Sequence, residues 1–386
     1  MANAPSRARP PILRLQEATE QASERHATWT ELFFDLVFVV AVAQLAAGLH
    51  DHLSLTGVAA FAGLFVPVVW TWTTYAYLGD LFDADEGLFR FVLLAAMLLV
   101  AGFAATIPSA FAGRSLGFVL AYALLRADIV ALYAWAWRTD PHLRVLARKH
   151  ALGLGLGLVV WLASLALDEP ARYAVWALAI VCDLLTGVAV YGGEVEVPRQ
   201  RSHMPERFGL FTLIVLGESI IAVSVGTIHA DWAAGSLFTA AAGFGLAAGL
   251  WWAYFARFDE DVFNWALRGG ADARTRSFVF GYAHLILYPA LAALGVGVKL
   301  AIEGAIDPAA GDHAPAVLGL GVAAYMISLS AIQAAAPLGL PRSAARARAA
   351  LVVAALVLAA VGSHLSPELA VALMGVGVCA LVASGN

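Results

Sequence analysis

Charge is scarce in this chain: only 13% of its 386 residues are Asp, Glu, Lys or Arg, about half the share usual in a soluble globular protein. With a mean hydropathy of +0.79, the composition excludes a disordered chain and argues against a water-soluble enzyme. The formal net charge is −5, which leaves no basic domain to hold nucleic acid. Two cysteines, Cys182 and Cys379, both fall inside apolar runs. They are too few and too far apart for a disulfide framework or a Cys-based zinc site, and read as small buried hydrophobes. His-Glu-x-x-His, Gly-x-Ser-x-Gly and P-loop motifs are all missing, so no enzyme signature is present and no cofactor or metal is expected. Gly153-x-Gly155-x-Gly157 sits within an apolar span with no strand before it, so it is not a nucleotide loop. An apolar leader is missing too. Residues 1–28 mix Arg7, Arg9 and Arg14 with Glu17, Glu20 and Glu24, so the first span is expected to act as an uncleaved signal anchor.

What remains is oil. Apolar residues make up 61% of the chain and the mean hydropathy is +0.79. Twelve membrane helices of about 20 residues need roughly 240 positions, which this composition supplies. The expected fold is an all-α, polytopic membrane helix bundle. Apolar runs place spans at 29–49, 54–78, 89–108, 112–137, 149–167 and 171–191, then at 206–228, 232–256, 276–300, 315–335, 345–364 and 367–384. Little but Ser363, Pro367 and Glu368 separates the last two, so eleven spans is the alternative. With the N-terminus cytoplasmic, nineteen of the 23 Lys and Arg fall on the inner side, three on the outer side, and Arg126 within a span. The bias predicts cytoplasmic N- and C-termini.

Half a chain apart, Glu24-Arg25-His26-Ala27-Thr28-Trp29-Thr30 matches Glu206-Arg207-Phe208-Gly209-Leu210-Phe211-Thr212 at four positions, one of them an aromatic exchange. An even number of spans separates the copies, which makes a parallel repeat. The expected layout is a tail over 1–28, a first six-helix half over 29–197 and a second over 198–386. Glu-Arg before a membrane helix also has a plainer explanation, as interface chemistry.

Ionisable groups inside spans are the informative residues, because each costs roughly 2.5–3.5 kcal/mol near a helix centre. Glu31 and Asp35 are four apart and face one side of span one. Glu31 also fits a capping box with Thr28; Asp35 has no such explanation. Glu218 lies near the middle of span seven, Arg126 and Asp128 in span four, Asp183 in span six. Arg126 is the obvious counter-charge for one of these acids. His284 in span nine is either a hydrogen-bonded packing residue or a proton carrier. Acids cluster at two helix ends, around Asp83 and Asp259, and Arg25 and Arg207 at the starts of spans one and seven are their expected partners. Trp70, Trp72, Tyr75, Trp135, Trp137, Trp251 and Trp252 are expected mostly to mark the membrane interfaces.

Glu31-Leu32-Phe33-Phe34-Asp35-Leu36-Val37-Phe38, with Glu24-Arg25 and Thr28-Trp29 before it and Leu216-Gly217-Glu218-Ser219-Ile220 later, resembles the bacterial low temperature requirement protein A family. The resemblance runs from about residue 24 to 384 and implies a many-helix protein of the bacterial cytoplasmic membrane. The family takes its name from a growth phenotype in the cold, which specifies no reaction. Two functions fit the residues. One is a secondary transporter or ion-conducting protein whose path for a small molecule or ion contains Asp35, Glu218, Asp128, Asp183 and His284. The other is a non-transporting membrane factor for lipid homeostasis or assembly in the cold, with membrane lipids as its partners and the same acids as braces.

Overall fold

The computed structural model describes residues 27–82, 87–191, 204–229, 234–257, 270–336 and 339–384. They form twelve main helices: α1 (Trp29–Asp51), α2 (Leu55–Leu81), α3 (Gly87–Phe111), α4 (Leu116–Thr139), α5 (Arg144–Ala163) and α6 (Ala171–Tyr191) in the first half of the chain, then α7 (Met204–His229), α8 (Ala234–Phe255), α9 (Gly270–Gly304), α10 (Ala314–Ala335), α11 (Arg342–Val361) and α12 (Pro367–Ala383). A single helical turn, Pro308–Gly311, precedes α10. Among the described residues eleven helices are long and apolar enough to cross a membrane; α12, with 17 residues, is the short one.

Local chemistry sets the helix ends. Thr28 caps α1 through its hydroxyl, which accepts from the Glu31 amide at 3.2 Å, while Glu31 Oε2 accepts from the Thr28 amide at 2.9 Å. This reciprocal box satisfies two amides that a helix start leaves without partners. Ser54 caps α2 and Ser366 caps α12, the latter with Pro367 in the first turn, where its missing N–H costs nothing. Along each helix the apolar side chains continue onto the outside of the bundle. Leu98 is 75% exposed and Val376 69% exposed, as befits helices whose surroundings are lipid chains rather than water.

Packing is organised around α9, most of whose span is buried. This helix touches α1 and α2 of the first half and α7, α8, α10 and α12 of the second. At 35 residues it is about 52 Å long, against a hydrocarbon core of about 30 Å, so it tilts or projects beyond it. It also overruns the expected span 276–300 at both ends. The first half meets the second chiefly through α1 and α2 against α7 and α9.

Candidate functional site

Aromatic side chains line that meeting. Trp72 stacks on Phe211 at 4.3 Å between ring centroids and sets its edge on Phe208 at 5.0 Å. Its indole N–H donates to Asp35 Oδ1 at 2.7 Å. The expected role of Trp72 and Tyr75 as interface markers is therefore corrected: both are buried and both donate to carboxylates, because an amphipathic ring can place its polar tip on an acid inside the bundle. Trp251 and Trp252 are exposed.

Asp35 is answered by Arg207. The guanidinium approaches both carboxylate oxygens, Nη2 to Oδ1 at 2.5 Å and Nε to Oδ2 at 3.2 Å, a two-point fork only arginine offers. Arg207 Nη1 also reaches the Ala76 carbonyl at 3.4 Å and Glu31 Oε1 at 3.5 Å. Glu31 thus caps its own helix and helps hold the arginine of α7. Arg207, Asp35 and Glu31 are each about 1% exposed. Gly79 of α2 makes room: a β-carbon there would lie 2.8 Å from Glu31 Oε1 and 3.2 Å from Arg207 Nη1. The arrangement is a clamp joining α1 and α2 to α7. Arg25, Asp83 and Asp259, expected at the helix ends, lie outside the described residues.

A second charged cluster occupies the first half, where α2, α4 and α6 meet. Arg126 is fully buried. Its Nη2 lies 2.9 Å from Asp183 Oδ2 and donates to the Tyr122 hydroxyl at 2.6 Å, while Nη1 reaches Thr74 Oγ1 at 3.3 Å. Tyr122 completes a triangle by donating to Asp183 Oδ2 at 2.9 Å. Asp183 Oδ1 is buried without a hydrogen-bond partner. Asp128, two residues after Arg126 on α4, is half-buried, and among the described residues the Tyr75 hydroxyl donates to it at 2.7 Å.

Small residues on α5 admit this cluster. A β-carbon at Gly157 would collide with Asp183 Oδ1, and one at Gly153 with Thr186 Oγ1. The glycine pattern thus serves close packing of α5 on α6. Gly157→Ala is expected to push the Asp183 carboxylate off Tyr122 and Arg126 and to cost about 1–3 kcal/mol, the range for overpacking a fitted interior. Thermal unfolding in detergent measures it, with Gly155→Ala as the control, since its nearest neighbour is a Val130 methyl at 3.9 Å.

Glu218 stands apart. From Arg207 to Glu218 the helix rises about 16 Å, so Asp35 and Glu218 lie at different depths and are not brought together. Glu218 is half-buried and makes no hydrogen bond or ion pair among the described residues. Lys299 of α9 is the cation whose field reaches it, and Lys299 lies 3.9 Å from Glu303, which meets His50 of α1 at 2.9 Å. His284 is fully engaged: Nε2 meets the Tyr254 hydroxyl at 2.9 Å and Nδ1 the Phe280 carbonyl at 2.7 Å. Both ring nitrogens are committed, which is the packing role. Among the described residues no group of three His, Cys, Asp or Glu side chains is placed to hold a metal ion.

Sequence reasoning singled out the acids and missed most of the groups that satisfy them. Tyr122 was legible, four residues before Arg126 on one face of α4. Trp72, Tyr75 and the Arg207 assignment depend on which helix faces meet, and no local signal carries that.

Comparison with known proteins agrees with this architecture. The family model described as bacterial low temperature requirement A protein (LtrA) matches residues 26–384. An uncharacterized protein of Rhizobium meliloti (strain 1021) is 29% identical over 289 residues, covering 72% of this chain and 70% of its own length. No solved structure matches the chain. A match over almost the whole length, on a bundle of membrane-length helices, settles the family: the chain belongs to the bacterial low temperature requirement A proteins.

Proposed function

We propose that this multi-pass membrane protein is a secondary transporter or ion-conducting protein, with Asp128 in the first half and Glu218 in the second as its proton- or cation-carrying groups. One observation carries the reading. Both acids are half-buried within apolar helices, and neither forms an ion pair among the described residues. A carboxylate kept in such surroundings without a bonded cation is suited to taking up a proton or cation and releasing it. Asp35 and His284, with their polar atoms engaged, are on this reading structural.

Helix neighbours support a duplicated layout. As α1 packs on α3, so α7 packs on α9; α3 on α4 and α4 on α5 have counterparts in α9 on α10 and α10 on α11. Halves over 29–197 and 198–386 would then rock about the Asp35–Arg207 clamp, with both termini on the cytoplasmic side, where Lys and Arg concentrate.

Purified protein in liposomes under a pH gradient provides the test. Flux is expected to fall about tenfold in Asp128→Asn and in Glu218→Gln, equivalent to about 1.4 kcal/mol on the limiting barrier. Wild-type flux in both variants at normal expression removes the reading. The complete pairing of Asp35 favours the second function, a non-transporting factor in lipid homeostasis or assembly. Absence of flux in the wild type, with a lipid composition that changes on deletion in cold-grown cells, selects that one.

A further inference from the structure

Arg348 has a buried charge that no described residue answers. It lies in the second turn of α11 and is 2% exposed, yet Nε and Nη1 have no hydrogen-bond partner. Among the described residues no acid is offered by the helices around it: α8, α10 and α11 carry neither Asp nor Glu anywhere along their length. Along α8 the Leu250 carbonyl accepts from the Tyr325 hydroxyl at 2.7 Å, and the Ala253 carbonyl accepts from Gln333 Nε2 at 3.0 Å. Arg257, two residues past the end of α8 and itself engaged, lies near enough for its charge to oppose that of Arg348. Gln333 Oε1 is a further buried polar atom without a partner on the α10 side. So the corner where α8 and α10 end and α11 begins brings two guanidinium groups together.

Burying a guanidinium without a counter-charge is among the most costly arrangements in a folded protein. An arginine fork matches the two-oxygen edge of a phosphate. We propose that this corner binds an oxyanion of the phosphate class, held by Arg348 with Arg257 as the second cation. Two sources share that chemistry: the headgroup phosphate of an anionic lipid, and free phosphate. The corner lies at the helix ends, beside the exposed Arg342 and Arg346, where basic pockets between membrane helices meet anionic headgroups. The proposal does not depend on the transport reading.

Thermal midpoints of the wild type, Arg348→Met, Arg348→Lys and the exposed-site control Arg346→Gln test it. Each is measured in phosphate-free detergent, with inorganic phosphate added, and in nanodiscs of phosphatidylcholine with or without phosphatidylglycerol. The wild-type and Arg346→Gln midpoints are expected to rise with at least one probe, since a ligand that binds only the folded state stabilises it. Arg348→Met is expected to lose that rise and, without any oxyanion, to melt above the wild type, because an apolar chain replaces an unanswered charge. Arg348→Lys keeps the charge without the fork and is expected to show a smaller rise. A response to inorganic phosphate assigns the site to the free anion; a response confined to phosphatidylglycerol assigns it to lipid. The proposal is overturned if the wild type responds to neither probe, if Arg348→Met keeps the rise, or if Arg348→Met melts below the wild type without a probe.

Discussion

Arg207→Met is expected to destabilise the bundle by about 3–5 kcal/mol, the cost of removing one partner from a buried ion pair. The physical reason is what stays behind. Asp35 and Glu31 remain buried, Asp35 accepting from the Trp72 indole N–H and Glu31 from the Thr28 backbone N–H. Neither can return to water without opening the contact between α1 and α7. Asp35→Asn is expected to cost less, about 1–3 kcal/mol, because Trp72 still has an oxygen to donate to and Arg207 keeps Glu31 at 3.5 Å. Combining Arg207→Met with Asp35→Leu is expected to recover part of the loss, since well-packed apolar groups replace a buried pair at little net cost. The unfolding midpoints of the wild type, Arg207→Met, Asp35→Leu and the double variant in detergent give a coupling energy, expected within about 0.5–3 kcal/mol. Strictly additive losses would mean that the clamp does not hold the halves together.

How legible these features are depends on whether their causes are local. The start of α1 follows from Thr28 and Glu31, three residues apart, and the expected span 29–49 agrees with Trp29–Asp51 at its first residue. The expected span nine, 276–300, is shorter than the helix Gly270–Gly304. Arg274 and Glu303 lie just outside the apolar run, and charges at helix ends do not stop the backbone from staying helical. Asp35 was conspicuous as a charge in oil, whereas its partner lies 172 residues away on another helix. Only the rotation of α7 about its axis determines that Arg207 turns toward α1. Arg348 shows the same limit from the other side. It follows Arg346 by two residues in an arginine-rich helix start, where counting charges treats both alike; the helix turns one outward and buries the other.

Arg126→Leu carries the second large effect, again expected at about 3–5 kcal/mol, and its double variant separates bracing from transport. Removing the guanidinium leaves the buried Asp183 with the Tyr122 hydroxyl as its hydrogen-bond donor and no bonded cation among the described residues. Tyr122→Phe tests the link between them more gently. It deletes the hydroxyl that accepts from Arg126 and donates to Asp183, and is expected to cost about 1–3 kcal/mol. In Arg126→Leu/Asp183→Leu the charge pair is gone as a unit, so most of the stability is expected to return. Asp128 keeps Tyr75 in that background, but Tyr75 loses the Arg126 charge whose field reaches its hydroxyl. Stability near wild type with flux well below it is therefore the expected result of melting and liposome measurements on the same preparations. Flux at the wild-type rate in the double variant would make the Arg126–Asp183 pair a brace alone and leave Glu218, on the other side of the clamp, as the carrier to test.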